Sequence, residues 1–127
     1  MINTGIYNYI DVLNKTADAA WLRNESIVNN LANVDTPGYK RQDVSFESHL
    51  ARELKNSGSL DHRVAGVNIK NLKGTTYTDM AGYSYRLDGN NVDEDIENVE
   101  FASNQIKYNA VLDSITSELN RLKTAMS

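Results

Sequence analysis

The sequence predicts a mainly α chain in which two long terminal helices form an antiparallel coiled-coil arm beside a small irregular or β-hairpin middle region. Three observations predict it. Apolar residues recur at heptad spacing at both ends of the chain, a Thr-Pro-Gly-Tyr turn follows the first periodic stretch, and five of the seven glycines fall between positions 58 and 89. With 127 residues there is room for one ordinary domain. The expected division is an N-terminal arm over 1–34, a middle region over 35–92 and a C-terminal arm over 93–127.

The first arm reads as one helix from 6 to 34. Ile6, Ile10, Leu13, Ala17, Ala20, Asn24, Ile27, Leu31 and Val34 step alternately by four and three, which is an a/d stripe with one polar member, Asn24. Ala17 and Ala20 are small enough to let a partner helix approach closely, and Trp21 sits beside the stripe. The second arm reads as a helix from 93 to 126. Its stripe is Phe101, Gln105, Tyr108, Leu112, Ile115, Leu119, Leu122 and Met126, again with one polar member, Gln105. Acidic residues at 93, 94, 95 and 97 load the first turns and Arg121 and Lys123 the last, both matched to the helix dipole. Ile96, Val99, Ile106 and Val111 lie off this stripe, so the helix has a second apolar face and needs more than one neighbour.

In the middle, the glycines punctuate two short alternating runs, Val67–Leu72 and Tyr83–Leu87, which read as strands in hairpins. Phe46, Leu50 and Leu54 point to a short helix before Gly58. Ordering some 60 helical residues costs backbone entropy of the same order as two narrow seams recover. The arms are therefore expected to become stable by packing on other copies, and Asn24 and Gln105 to fix register in the seam.

Composition narrows the function classes. Apolar residues make up 40% and charged residues 24%, so the chain can bury a core. A formal charge of −4 argues against nucleic acid as a partner. The absence of Cys removes disulfides, thiolate metal sites and thiol nucleophiles. No apolar run is long enough to cross a membrane as a helix, and no cleavable signal peptide is expected. No small-molecule substrate or cofactor is expected either. An EF-hand loop starting at Asp88 fails at Val92, Asp93 and Val99, so Asp88–Asp95 reads as a turn and an acidic helix start. His49 and His62 lack a third ligand, and no nucleophile elbow, phosphate loop or catalytic triad is present, so the chain does not read as an enzyme. The sequons at Asn14 and Asn24 fall inside a predicted helix.

The densest motif is Asn29-Asn30-Leu31-Ala32-Asn33-Val34-Asp35-Thr36-Pro37-Gly38-Tyr39-Lys40. Read locally, Asn33 suits a left-handed helix cap, and Thr36-Pro37-Gly38-Tyr39 a type II turn with Gly where φ is positive. The stretch also resembles the N-terminal signature of the bacterial flagellar rod and hook family of axial proteins, with Asn29, Asn30, Ala32, Asn33, Thr36, Gly38 and Tyr39 at its fixed positions. Asp35, Pro37, the downstream Val44-Ser45-Phe46-Glu47 and the short chain are most similar to the family's proximal-rod members. Asp88–Asp93 with Asn104–Tyr108 resembles the C-terminal region of the same proteins.

The resemblance implies a structural subunit whose terminal helices form an inner axial layer of a helical tube. It implies a location in the flagellar basal body, in the periplasm-spanning rod, after export without a cleaved signal. The implied partners are other copies of the chain, paralogous rod proteins, and membrane-ring and basal export-gate or adaptor components. Without the resemblance, exposed apolar helix faces fit equally a soluble helical-hairpin adaptor or chaperone-like binding module.

Overall fold

The computed structural model describes residues 4–55, 59–80 and 86–127. Two long helices dominate it. Helix α1 runs over Thr4–Ala32 and α4 over Glu94–Met126, 29 and 33 residues, or about 43 and 50 Å at the α-helical rise. Between them lie strand β1 (Gln42–Ser45), helix α2 (Glu47–Glu53), helix α3 (Leu60–Ala65), a 3₁₀ turn at Ile69–Asn71 and strand β2 (Thr75–Thr78).

Helices α1 and α4 pack side by side and antiparallel. Asn30 meets Glu97, Ala20 meets Asn104, and the Trp21 and Tyr108 rings lie 6.0 Å apart and tilted by 46°. Helix α4 starts where the sequence expects, because the Asp93 carboxylate caps it by accepting from the Asp95 and Ile96 N–H groups. Glu94, Asp95 and Glu97 occupy its first turn, and Lys123 its last.

Helix α1 is two-faced. Ala17, Ala20 and Ile27 are buried on the heptad stripe, and Ile6, Ile10, Leu13, Asn24 and Leu31 are half-buried. A second stripe, Val12, Thr16, Ala19, Arg23, Ser26 and Asn30, also steps by four and three, and Ala19, Ser26 and Asn30 on it are buried. Ala19 joins Phe46, Val67 and Leu72 in the core of the middle region, with Val12, Leu50, Leu54 and Ile69 around them. Trp21, expected beside the first stripe, is 54% exposed, and its indole N–H donates to Glu25.

In α4 the inward positions are Glu97, Phe101, Asn104, Tyr108, Val111, Ile115, Glu118 and Leu122. Phe101, Tyr108, Ile115 and Leu122 belong to the expected stripe. Gln105, Leu112, Leu119 and Met126 are exposed, and positions 104, 111 and 118 stand inward in their place. Both registers satisfy heptad spacing. The inner one is held by polar contacts that periodicity does not weigh: the Asn104 amide donates to the Ala20 carbonyl at 2.8 Å, and Glu97 bonds Asn30.

The middle region corrects the hairpin expectation. Val67–Leu72 is a loop carrying the 3₁₀ turn, because its apolar members Val67, Ile69 and Leu72 all serve one core while the Asn68 side chain caps the turn. Residues 83–85 of the second expected strand lie outside the described residues, and Arg86 and Leu87 form a bend and turn. The sheet instead joins β1 and β2 antiparallel, with Gln42 opposite Thr78 and Val44 opposite Thr76. These strands are separated by α2 and α3, so the pair is not a hairpin. The short helix expected from Phe46, Leu50 and Leu54 is present as α2.

Leu72 is fully buried among Ala19, Phe46 and Val67. Leu72→Ala is expected to destabilise the purified chain by about 2–5 kcal/mol, read as a lowered urea midpoint.

Candidate functional site

The motif of residues 29–40 stops α1 and returns the chain to start β1. After Ala32 the Asn33 side chain donates to the Asn29 carbonyl at 2.8 Å and accepts from the Thr36 hydroxyl at 3.1 Å. Asn33 does not take the left-handed conformation expected of it: no described non-glycine residue has positive φ. Its carboxamide satisfies the helix end directly, which removes the need for that backbone state. The type II turn is present. Gly38 has φ +76°, and the Tyr39 N–H donates to the Thr36 carbonyl at 3.2 Å.

A second loop, Arg86–Val92, docks on this turn. The fully buried Asn90 amide donates to the carbonyls of Asn33, Val34 and Thr36, at 2.8, 3.1 and 2.8 Å. Its Oδ1 accepts from the Val92 N–H. Arg86 donates to the Val34 carbonyl at 2.7 Å, the Gly38 N–H to the Asp88 carbonyl, and the Lys40 ammonium to the Gly89 carbonyl. Gly89, at φ +79°, turns the loop tightly enough for these contacts.

Beneath the turn is a buried polar lock. The Asn30 side chain, at 0% exposure, donates to the Gln42 carbonyl at 2.8 Å and to Glu97 Oε2 at 3.1 Å. Its Oδ1 accepts from the Gln42 N–H at 2.8 Å and the Tyr39 hydroxyl at 3.0 Å. Both donors and both lone pairs are thus used, and the amide closes the outer edge of β1 as a neighbouring strand would. Glu97, also at 0%, accepts on Oε1 from Arg41 Nε at 2.7 Å. Arg41 reaches Asp79 as well, at 2.7 Å, and Asp43 at 3.4 Å. The Arg41 backbone N–H donates to Asn91 Oδ1, and the Asn91 amide to the Asp79 carbonyl. Burial works against the Arg41 charge, but the Glu97 and Asp79 carboxylates outweigh it and raise its pKa. Burial, followed by the Glu97 charge, raises the Tyr39 hydroxyl above its ordinary value.

A second tie crosses the waist of the molecule. Arg23 on α1 grips Glu47 at the start of α2 through both guanidinium nitrogens, at 2.8 and 2.7 Å, and donates to the Val44 carbonyl at 2.9 Å. Lys107 of α4 binds the same carboxylate. The Arg23 hydrogen bond, with that of Lys107, pulls the Glu47 pKa down to about 2.

Of the motif residues, Asn30, Asn33, Tyr39 and Lys40 enter this network through their side chains, and Gly38 through its φ and its N–H. Asn29, Ala32, Thr36 and Pro37 are exposed, with Thr36 turned back onto Asn33. Sequence reasoning missed Arg41, Glu97, Asn90, Asn91, Asp79 and the Arg23–Glu47 pair. Glu97 read only as a dipole charge, and Asp88–Asp93 as a turn. The available signal was the run of carboxamides at both ends of the middle region, since Asn favours groups that bond backbone. No cluster of three metal-ligating side chains occurs among the described residues, and none of their helices is long and apolar enough to cross a membrane.

No protein-family model matches the chain. It is 34% identical over 120 residues to the flagellar basal body rod protein FlgB of Bacillus subtilis, a match covering 93% of this chain and 92% of that protein. It is 38% identical over 109 residues to FlgB of Borrelia hermsii, covering 78% and 81%. Against FlgB of Escherichia coli it is 29% identical over 113 residues, covering 82% of each.

Glu97→Ala leaves Arg41 and Asn30 buried without their shared partner, and is expected to cost about 3–5 kcal/mol in denaturant unfolding. Glu47 sets an acid dependence. Its folded pKa lies below the ordinary 4.5, so its stabilisation is full above pH 4.5 and is lost as pH falls through about 2. In Glu47→Gln the acid unfolding curve is expected to lose its slope in that window.

Proposed function

Because the chain belongs to the FlgB family of flagellar basal body rod proteins, and is a structural subunit of the proximal rod, we propose that its two arms form part of a coiled-coil inner layer that other rod chains complete. The observation that carries this reading is the surface of α4. In a helix of 33 residues the two buried side chains are both polar, Glu97 and Asn104. Meanwhile Ile96, Val99, Ile106, Leu119 and Met126 are 49–71% exposed, and Leu112 40%. Each such side chain gains about 1.5–3 kcal/mol when fully buried. A helix whose two buried positions are polar, and which turns a further set of apolar residues outward, is built to be covered by neighbours.

The exposed residues fall on two sides of α4. Gln105, Leu112, Leu119 and Met126 flank the α1 seam, while Ile96, Val99 and Ile106 point away from it. Two sides call for at least two neighbours, and heterologous contacts that do not close into a ring build a helical filament. The partners are further copies and paralogous rod proteins, with membrane-ring and export-gate components at the basal end. The three-part division, with arms over 1–34 and 93–127 and the middle over 35–92, follows the same logic: arms meet neighbours, while the middle and its locks fix the angle at which they leave. Asn29, Ala32, Thr36 and Pro37, exposed at the turn, are positioned to meet a neighbouring subunit. The function is mechanical and not catalytic. Close-packed helices in a tube transmit torque because twisting them would break contacts along every interface.

From residue 112 onward α4 has no third element against it among the described residues, only α1. It orders fully only when a neighbour adds one, which is folding coupled to binding. Deleting the gene in the parent bacterium is expected to abolish motility and leave basal bodies with no rod beyond the membrane ring; intact basal bodies would contradict the reading. Amide exchange on the dilute chain is expected to show weak protection from residue 112 onward and strong protection at residues 19–30.

A further inference from the structure

One cleft is not used by the lock or by the apolar faces. It is a hollow of about 300 Å³ between α1, the β1–α2 junction and α4. Its charged lining comprises Arg23, Lys107, Asp43, Glu47 and Glu100. Arg23 and Lys107 are both bound to Glu47, and Arg23 also lies 3.7 Å from Asp43. Arg41, outside the lining, also reaches Asp43, at 3.4 Å. Glu100 makes no ion pair or hydrogen bond among the described residues; it feels Arg23 only at a distance.

The uncharged lining is rich in acceptors. Asn104 is 4% exposed, its amide is committed to the Ala20 carbonyl, and its Oδ1 has no donor among the described residues. A buried acceptor without a donor costs about 1–3 kcal/mol. Glu100 and Ser103 occupy α4 at i and i+3, with Asn104 next to Ser103, so one helix side gathers a carboxylate, a hydroxyl and a carboxamide oxygen. Ser103 lies one turn from both Val99 and Ile106, which places the cleft at the border of the outward apolar face.

We propose that this cleft receives a cationic side chain, the guanidinium of Arg or the ammonium of Lys, from a neighbouring rod subunit seated on Ile96, Val99 and Ile106. The inference rests on the assembly reading above and deepens it by naming the chemistry of one contact. One added cation supplies the opposite charge that Glu100 lacks among the described residues and brings hydrogen-bond donors to a wall of acceptors. An anionic group does neither, because Arg23 and Lys107 are already engaged with Glu47, and a neutral donor leaves the Glu100 charge unmatched. The apolar contact supplies affinity, and the cation sets register and rejects subunits that present a carboxylate there.

The test is charge reversal at Glu100 in the parent bacterium, in a background where deletion of the gene has already been shown to stop rod assembly. Glu100→Lys is expected to lower the yield of completed rods at least about tenfold, since like charges in a contact cost several kcal/mol. Glu100→Gln is expected to have a smaller effect. The purified Glu100→Lys chain should keep the parent's far-UV circular dichroism, because the residue is exposed and makes no ion pair among the described residues. Motile revertants of Glu100→Lys are expected to replace an Arg or Lys of a rod subunit, outside this cleft, with Asp or Glu. Normal rod yield in Glu100→Lys overturns the proposal, as do revertants that fall only at Arg23 or Lys107 of the same chain. Neither of those results touches the assignment to the rod, which the deletion tests separately.

Discussion

A single carboxamide stands where three distant stretches of chain must meet. Asn30 bonds the backbone of β1 twice, the Tyr39 hydroxyl of the turn and the Glu97 carboxylate of α4. Glu97 in turn holds Arg41, and Arg41 holds Asp79 beyond β2. A buried charge is tolerable only when its partners are complete, so this network is close to all-or-none. Once it closes, the end of α1, the turn, the start of β1, the end of β2 and the first turns of α4 have little freedom left. Nearly every other feature of the fold follows from where that closure puts α4.

The register of the two helices is one consequence. A hydrophobic seam alone would draw Leu112 and Leu119 inward, since they offer more apolar surface than Val111 and Glu118. With Glu97 fixed beneath the turn and Asn104 bonded to the Ala20 carbonyl, α4 is rotated so that 104, 111 and 118 face α1. Specificity here comes from polar groups and at some cost in stability, a role that polar seam residues serve elsewhere. The stability forgone inside the single chain becomes surface available to neighbours. For a subunit that has to join a filament and not close on itself, the two requirements coincide.

The middle region is small and its core modest, yet it stiffens the arm. Ala19 and Val12 of α1 pack into it, Arg23 and Lys107 converge on Glu47, and the Asn90 loop seals the turn. These ties lie at the same end of the hairpin, the end holding residues 12–47 and 88–107. That end is braced by the middle region, whereas α4 beyond residue 112 packs on α1 alone among the described residues. Such an asymmetry gives a subunit one rigid reference point and one adaptable end.

Much of this was legible along the chain. Helix lengths, the antiparallel pairing, the acidic start of α4, the type II turn and the short α2 follow from periodicity, capping and the Pro-Gly pair, all local in sequence. The family was indicated by the resemblance of twelve consecutive residues, 29–40, to a known signature, and is shown by the relatives. What the chain alone left open was pairing over distance. The β1–β2 ladder joins residues 30–36 positions apart, the Val67–Leu72 run bends into a core where alternation promised a strand, and Asn33 caps through its side chain where backbone preference favoured a left-handed turn. The choice between two heptad registers of α4 was likewise tertiary. Both are equally periodic, and only three-dimensional closure of Asn30, Glu97 and Arg41, whose hydrogen bonds carry no sequence period, selects the one that leaves the helix apolar toward its neighbours.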